Sequence, residues 1–572
     1  MSYEIVIRGG VVVDGSGSAP FRADVGVVNG RIAEVGRIDE RGATELDAEG
    51  HVVTPGFIDG HTHMDAQIFW DPIGSSSCFH GVTTAVMGNC GFTLAPALPS
   101  RRDLVVRNLE RAEDISAAAM AEGIDWTWET FPEWLDAVDR LPKGINYLSN
   151  IGHSALRTWA MGERAFEAEA NDDDLAIMKR QLEAALRSGA VGFTTSRSGQ
   201  HRTSDDRPVA SRMASWGEVC ELVDVVRVVG GGIFELAVDE RIRSLDPADR
   251  ETVAREIADL AISSGVPVTF GIPAGHVGTP DLLQIVARGN ASGGRVIGQT
   301  HSRGISVILS FKTTLPFDRL DSWKTFRSAD LDSQRRVLSD PDARSRLVAA
   351  ARNGKYSQGV GTEVRPPDYD NIFLFDAPLP PYRSVAAVAH KLGVDPVELM
   401  ITRALDSDFS QLFLQPLVPP TEEQLLGVMN HPGTVMTFSD SGAHVSQIID
   451  SSIQSHLLAY WVRERAAYTL EAAVHMLTNR PASAWNLQNR GLVKVGYHAD
   501  LNVFDPCTVG PKMPTVEYDL PAGAKRLKQT ATGFLATIVA GRPVLLSGQP
   551  TGQLPGRLLR GASNPAAYSL DH

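Results

Sequence analysis

Apolar and polar positions alternate over Tyr3–Arg8, and short apolar runs recur at Val11–Val13, Asp24–Val28, Arg31–Val35 and Val52–Pro55. This two-residue period predicts half-buried strands. Asn29-Gly30 stands between two of the runs, the sequence of a tight hairpin turn. The far end of the chain reads alike: Gly491–Val493 and Ala499–Phe504 are strand-like, and Thr537–Leu546 contains the turn Ala540-Gly541-Arg542. The two ends are therefore expected to build one small β domain, with the rest of the chain inserted between them. In the middle, apolar runs at 56–59, 83–87, 144–149, 191–195, 232–236, 267–271, 295–299 and 434–438 alternate with amphipathic stretches such as Asp173–Ser188, Trp216–Val229 and Asp249–Ser264. Strands alternating with helices imply parallel βαβ units, and this number of strands suits closure into a barrel.

The fold class expected is thus α/β: a (β/α)8 TIM-like barrel with a small β-sandwich domain built from the N- and C-terminal segments. The boundaries are residues 1–55 and 487–572 for the small domain, the latter including a tail, and 56–486 for the barrel. A Pro-rich insertion at about 312–421 is placed to cover an active site.

Composition narrows the function. At 572 residues, 43% hydrophobic and 21% charged, this is an ordinary globular composition. A formal net charge of -14 argues against nucleic-acid and anionic-membrane partners. Four cysteines form no disulfide framework, there is no signal-peptide pattern and no apolar run long enough to span a bilayer, so a reduced, cytoplasmic setting is expected.

The strongest chemical signal is Thr54-Pro55-Gly56-Phe57-Ile58-Asp59-Gly60-His61-Thr62-His63, an apolar strand running into His-x-His. Residues two apart on a strand project to one side, so His61 and His63 can share a metal ion. Asp440 follows the strand-like run 434–438, at the end of a barrel strand where such active sites lie. A carboxylate there can ligate a metal and carry a proton between water and a leaving group. Cys90 follows the run 83–87 and offers a thiolate. His301 ends another strand and can bind metal or polarise a carbonyl. Arg303 and its rivals Arg197 and Arg202 are candidates for pairing with a substrate carboxylate. His153 follows a strand-like run and is a candidate pocket residue. No Gly-x-Ser-x-Gly elbow or P-loop suggests another chemistry.

These residues resemble the amidohydrolase superfamily, and within it the N-acyl-D-amino-acid deacylase (D-aminoacylase) group. The likeness is carried by Pro55–His63, by His80-Gly81-Val82-Thr83-Thr84 with Gly88-Asn89-Cys90-Gly91-Phe92, by Ser439-Asp440-Ser441-Gly442-Ala443-His444, and by Gly491–Val493 with His498–Leu501. The resemblance implies His61, His63, Cys90 and Asp440 as metal ligands, Asp440 as general base and acid, and a small amide as substrate. It admits a homo-oligomer. The chain also departs from the group. Ala237 and Phe270 stand where metal-binding histidines of the fifth and sixth strands are expected, and the Lys that helps hold the substrate is missing. Glu235, two residues before Ala237, shares its strand face and can supply a carboxylate. The expectation is one well-held Zn2+ with a second site weak or absent. The activity implied is deacylation of N-acyl-D-amino acids or related small amides. The alternatives are a cyclic amide, imide or lactone hydrolase on the same scaffold, or a degenerate binding subunit.

Overall fold

The structure, a computed structural model, describes residues 2–561 except 358. The terminal segments pair in one nine-stranded sheet: Tyr3–Val12, Phe21–Val28, Arg31–Gly36, Gly42–Asp47 and Val52–Pro55 join Leu501–Phe504, Phe534–Val539, Arg542–Leu546 and Gln549–Pro550. Val52–Pro55 is the seam, parallel to Tyr3–Val12 and antiparallel to Leu501–Phe504. Ile5, Val12, Val27, Val53, Leu501, Val503 and Ile538 fill the core beneath it. Asn29 and Gly30 both adopt positive φ, as the hairpin they close requires. Gly42–Asp47 escapes the hydrophobic pattern because it is a largely exposed edge strand. Gly491–Val493 is not a strand: Gly491 turns with φ 81°, and the Val493 N–H donates to the Asp14 carbonyl from a loop.

The middle of the chain contributes parallel ladders. Phe57–Asp59 pairs with Val82–Met87, which pairs with Asn146–Ser149. One residue further along, Ile151–Gly152 continues to Gly192–Ser196, Ile233–Ala237, Val268–Gly271, Val296–Thr300 and Thr434–Met436. Phe438–Ser441 then pairs in parallel with His61–Thr62, so the succession returns to its starting stretch. Every predicted strand of this region falls on one of these ladders. Because all run parallel, their C-terminal ends open on one side, and that is where the candidate residues gather.

Local sequence explains the helices between them. Asp172–Ser188 starts in a reciprocal capping box between Asn171 and Asp174 and stops at Gly189, whose φ of 114° a side chain resists. Pro247–Ser264 begins two residues before the apolar periodicity, because Asp246 caps it and Pro247 suits the first helical position. Between Val296–Thr300 and Thr434–Met436 lies a separate layer: an antiparallel sheet of Ser306–Leu309, Leu412–Pro416, Phe373–Phe375 and Arg383–Ser384, backed by helices including Pro341–Asn353 and Pro396–Asp406. Its core includes Phe311, Phe317, Trp323, Leu374, Met400 and Phe413. The layer opens at Ser306, earlier than the Pro-rich stretch suggests, since Ser306–Leu309 pairs with a strand more than a hundred residues later. Among the described residues, no helix is long and apolar enough to cross a membrane.

Candidate metal centre

A cavity of about 270 Å3 opens at the C-terminal ends of the ladder strands, lined at its base by His61, His63, Cys90, Glu113, Glu235 and Asp440. His61 and His63 leave the first strand on the same side, as the two-residue period demands. His61 Nε2 lies 3.2 Å from Asp440 Oδ1 and 3.5 Å from Cys90 Sγ, and His63 Nε2 lies 3.7 Å from Asp440 Oδ1. The ligand atoms of His61, His63 and Cys90 all lie within 4.8 Å of one another.

Backbone conformation aims these groups. Cys90 (φ 54°), Asp440 (φ 51°) and His444 (φ 48°) adopt the left-handed region that non-glycine residues avoid, at a cost of about 1–3 kcal/mol each. Gly442 follows at φ 94°, and a Cβ there would sit 2.5 Å from the His63 carbonyl oxygen. The chain is thus folded tightly against the His-x-His segment. Gln299 sets the orientation of His61. Its amide nitrogen donates to Thr269 Oγ1 at 3.0 Å, so its carbonyl oxygen faces His61 Nδ1 at 2.6 Å. Nδ1 therefore carries the proton, and the Nε2 lone pair points at Asp440 and Cys90. Glu235 Oε2 accepts the Cys90 backbone N–H at 2.7 Å.

The electrostatics suit a cation, which would stabilise the ionised forms that burial disfavours. Glu113, Glu235 and Asp440 share this region, and all but Asp440 are almost fully buried. Burial, then the charges of Asp440, Glu235 and Asp65, hold the Glu113 carboxyl well above the usual range. Burial pushes Glu235 up to about 7. Burial and the neighbouring carboxylates raise the Cys90 thiol well above its ordinary value. Glu113 Oε1 and His63 Nδ1 are buried without a hydrogen-bond partner. Uncompensated buried carboxylates are expensive. Two imidazoles, a thiol and a carboxylate at these separations form the donor set of a borderline divalent ion such as Zn2+, so the residues fit one.

A second donor group shares the thiol: Cys90, Glu113 and His201 also bring ligand atoms within 4.8 Å of one another. Glu113 Oε2 lies 3.6 Å from His63 Nε2 and 3.5 Å from His444 Nε2. Sequence reasoning found the first group and missed Glu113, which sits past the end of helix Arg102–Glu110 in no recognisable pattern. His201 lies in the loop after Gly192–Ser196, the one hint to its role. Ala237 and Phe270 offer no ligand, as expected; Ala237 lines the cavity and Phe270 is buried in the core.

The remaining candidates lie outside the cavity lining. Arg303 donates from Nε to Asp450 at 3.0 Å and from Nη2 to the Ile449 carbonyl and Ser452. Arg197 pairs with Asp239 at 3.1 Å and donates to the Ala214 carbonyl. Arg202 lies 3.5 Å from Asp206. His153 is fully buried, its Nε2–H donating to Glu218 at 2.9 Å while Nδ1 accepts from Thr195 at 2.8 Å. His301 stacks on Phe438, whose ring meets His61 edge-on at 4.4 Å; His301 Nδ1 reaches the Phe438 carbonyl at 3.3 Å. The strand-end positions of these residues were legible, but which of them face the cavity was not.

The sequence pattern of the amidohydrolase family matches residues 44–229 and 334–545, and the chain belongs to that family. It is a metal-dependent hydrolase acting on carbon–nitrogen bonds. Within the family it falls with the D-aminoacylase group. It is 28% identical to D-aminoacylase of Alcaligenes xylosoxydans xylosoxydans, over 97% of each chain. It is 28% identical to N-acyl-D-glutamate deacylase of the same organism, over 97% of this chain and 96% of the relative. Among solved structures, N-acyl-D-glutamate deacylase of Bordetella bronchiseptica, complexed with zinc and a phosphonate inhibitor, superposes with TM-score 0.64 at 25% identity, covering 98% of this chain and all of that one.

Proposed function

We propose that the chain hydrolyses the amide bond of small N-acyl compounds, N-acyl-D-amino acids first among them, at a divalent cation held by His61, His63, Cys90 and Asp440. The convergence of those four side chains, drawn from three separate strand ends, carries this reading. We read the returning succession of parallel strands as a (β/α)8 barrel of residues 56–486, with the terminal segments (2–55 and 487–561) as a small β domain beside it; the expected tail, 562–572, lies outside the described residues. The names of the relatives support the substrate class, and the zinc-bound neighbour supports Zn2+. Cys90, Glu113 and His201 form the place for any further ion.

When bound, the cation supplies Lewis acidity towards water and the amide carbonyl. The chain's own residues do the rest. Gln299 keeps the His61 Nε2 lone pair directed inward. Burial of His61, His63 and Cys90 keeps bulk water from the reacting groups. The Asp440 carboxylate, partly open to the cavity, takes the proton of the attacking water and delivers it to the departing nitrogen, so no covalent acyl-enzyme is required.

The test is turnover by purified, metal-loaded protein of N-acetyl-D-amino acids, their L-enantiomers, cyclic imides and lactones. Preference for the D-amides, lost at least about 1,000-fold in Asp440→Asn, is expected. Cleavage of the cyclic substrates alone would assign the rival activity on this scaffold, and full activity in Asp440→Asn would remove that residue from the chemistry.

A further inference from the structure

A second cavity, of about 190 Å3, lies between the inserted layer and the strand ends, and it shares no lining residue with the metal cavity. The segments 304–306 and 416–418 form the wall between the two. Ile305 and Leu417 line the metal cavity, whereas Gly304, Ser306 and Pro416 line the second one. The second cavity is walled by rings. Phe373 and Tyr382 come from the layer, and His456, Tyr460 and Trp461 face them from the other side. Tyr460 and Trp461 stand on an unusual stretch of backbone. Leu457–Glu464 winds as a π-helix, and the Arg465 N–H accordingly donates five residues back, to the Tyr460 carbonyl at 2.8 Å. Turns of this kind are rare and occur frequently at functional sites. His456, just before it, stacks on Tyr460 with ring centres 5.4 Å apart, and Trp461 meets Tyr460 edge-on at 5.1 Å.

The charged groups around this cavity are already paired. Glu422 accepts from the Tyr460 hydroxyl and from Arg465, and Arg303 has Asp450 at 3.0 Å. The imidazole of His456 differs. Ser302 Oγ gives its one proton to the Ile453 carbonyl at 2.8 Å, so His456 Nδ1–H donates to that oxygen at 3.0 Å and Nε2 carries a lone pair. Among the described residues Nε2 has no hydrogen-bond partner, although His456 is only 4% exposed. Burial, then the charge of Arg303, holds the imidazole well below its ordinary value, so the ring is neutral and Nε2 is a standing acceptor. A buried acceptor is costly to leave without a donor. We propose that this cavity binds a neutral aromatic molecule of the indole class, its rings against the aromatic walls and its N–H on His456 Nε2. The volume suits that size, since an apolar cavity of about 150 Å3 takes up benzene. Ring walls favour a planar apolar body, the lone pair selects a donor, and the paired charges give no hold on an ion. The proposal is independent of the hydrolase reading.

The test is calorimetric titration of metal-loaded protein with indole and with benzofuran, which keeps the shape and replaces the N–H by an oxygen. The wild type should bind a single indole per chain, about 5- to 10-fold more tightly than benzofuran. His456→Phe should bring indole down to the benzofuran affinity and leave benzofuran where it was. Tyr460→Leu, which removes a ring face and keeps the acceptor, should weaken both compounds alike, by about 3- to 10-fold. If His456→Phe fails to unfold cooperatively, the ratio of the two ligands on the wild type and their common loss in Tyr460→Leu decide the matter. No saturable binding of indole, equal affinity for the two compounds on the wild type, or indole binding that neither substitution changes, overturns the site.

Discussion

Replacing Gln299 with Met keeps the length and volume of the side chain but deletes the amide that orients His61. In the native chain that amide accepts the His61 Nδ1 proton at 2.6 Å and donates to Thr269 at 3.0 Å, so the imidazole holds one tautomer and one rotation. Without it the ring can turn or move its proton to Nε2, the atom 3.2 Å from Asp440. Deleting such a partner of a ligand typically weakens metal binding about 10- to 100-fold, or about 1.4–2.7 kcal/mol at the site. The fold should lose a comparable amount, about 1–3 kcal/mol, because His61 Nδ1 and Thr269 Oγ1 remain buried with no partner. Competition against a fluorescent zinc chelator gives the affinity, and urea unfolding of the metal-free protein gives the stability. A Gln299→Met protein that folds normally and binds zinc within about twofold of the wild type would refute the reasoning that this bond fixes the ligand.

Gly442→Ala should lower the melting temperature and the bound metal together, because a Cβ at φ 94° would meet the His63 carbonyl oxygen at 2.5 Å; unchanged values of both would show that this turn does not hold the His-x-His segment. Glu218 supplies an acid-stability prediction. Burial works to raise its carboxyl, but His153 and Arg157 outweigh it and bring it from 4.5 down to about 2. A depressed folded-state value contributes stability present above about pH 4.5 and lost as pH falls towards about 2, roughly 3 kcal/mol in all. Urea unfolding across that range should show a steep loss in the wild type and a shallower one in Glu218→Gln; identical slopes would contradict it. Glu113→Gln should leave the ion at His61, His63 and Cys90 in place and remove any capacity for a further one, read by elemental analysis after zinc loading; unchanged stoichiometry above one ion would contradict the second donor group.

The parts of this account legible in the sequence are those governed by short-range periodicity. The alternation that makes Phe57–Asp59 a strand also puts His61 and His63 on one side, and the hairpin at Asn29-Gly30 follows from the φ those two residues tolerate. Asp440 and Cys90 could be placed because each follows a strand-like run. Glu113 could not, because nothing local distinguishes it; only the folded chain brings it within 3.6 Å of His63. Gln299 carried an overlooked signal, a long polar side chain straight after the apolar run Val296-Ile297-Gly298 of a buried strand. Arg303 and Arg197 were misleading for the opposite reason. Position at a strand end says nothing about which neighbour claims a guanidinium, and here Asp450 and Asp239 claim them. The cavity beside His456 lay hidden because its walls depend on pairings such as Ser306–Leu309 with Leu412–Pro416.

The central claim is that His61, His63, Cys90 and Asp440 together hold a cation that amide hydrolysis needs. The most direct measurement is zinc content and turnover of N-acetyl-D-methionine, on the same preparations, for the wild type and His61→Ala/His63→Ala. The account predicts at least one tightly bound ion with turnover in the wild type, and neither in a variant that still unfolds cooperatively. A folded double variant that retains its zinc and its activity would contradict it.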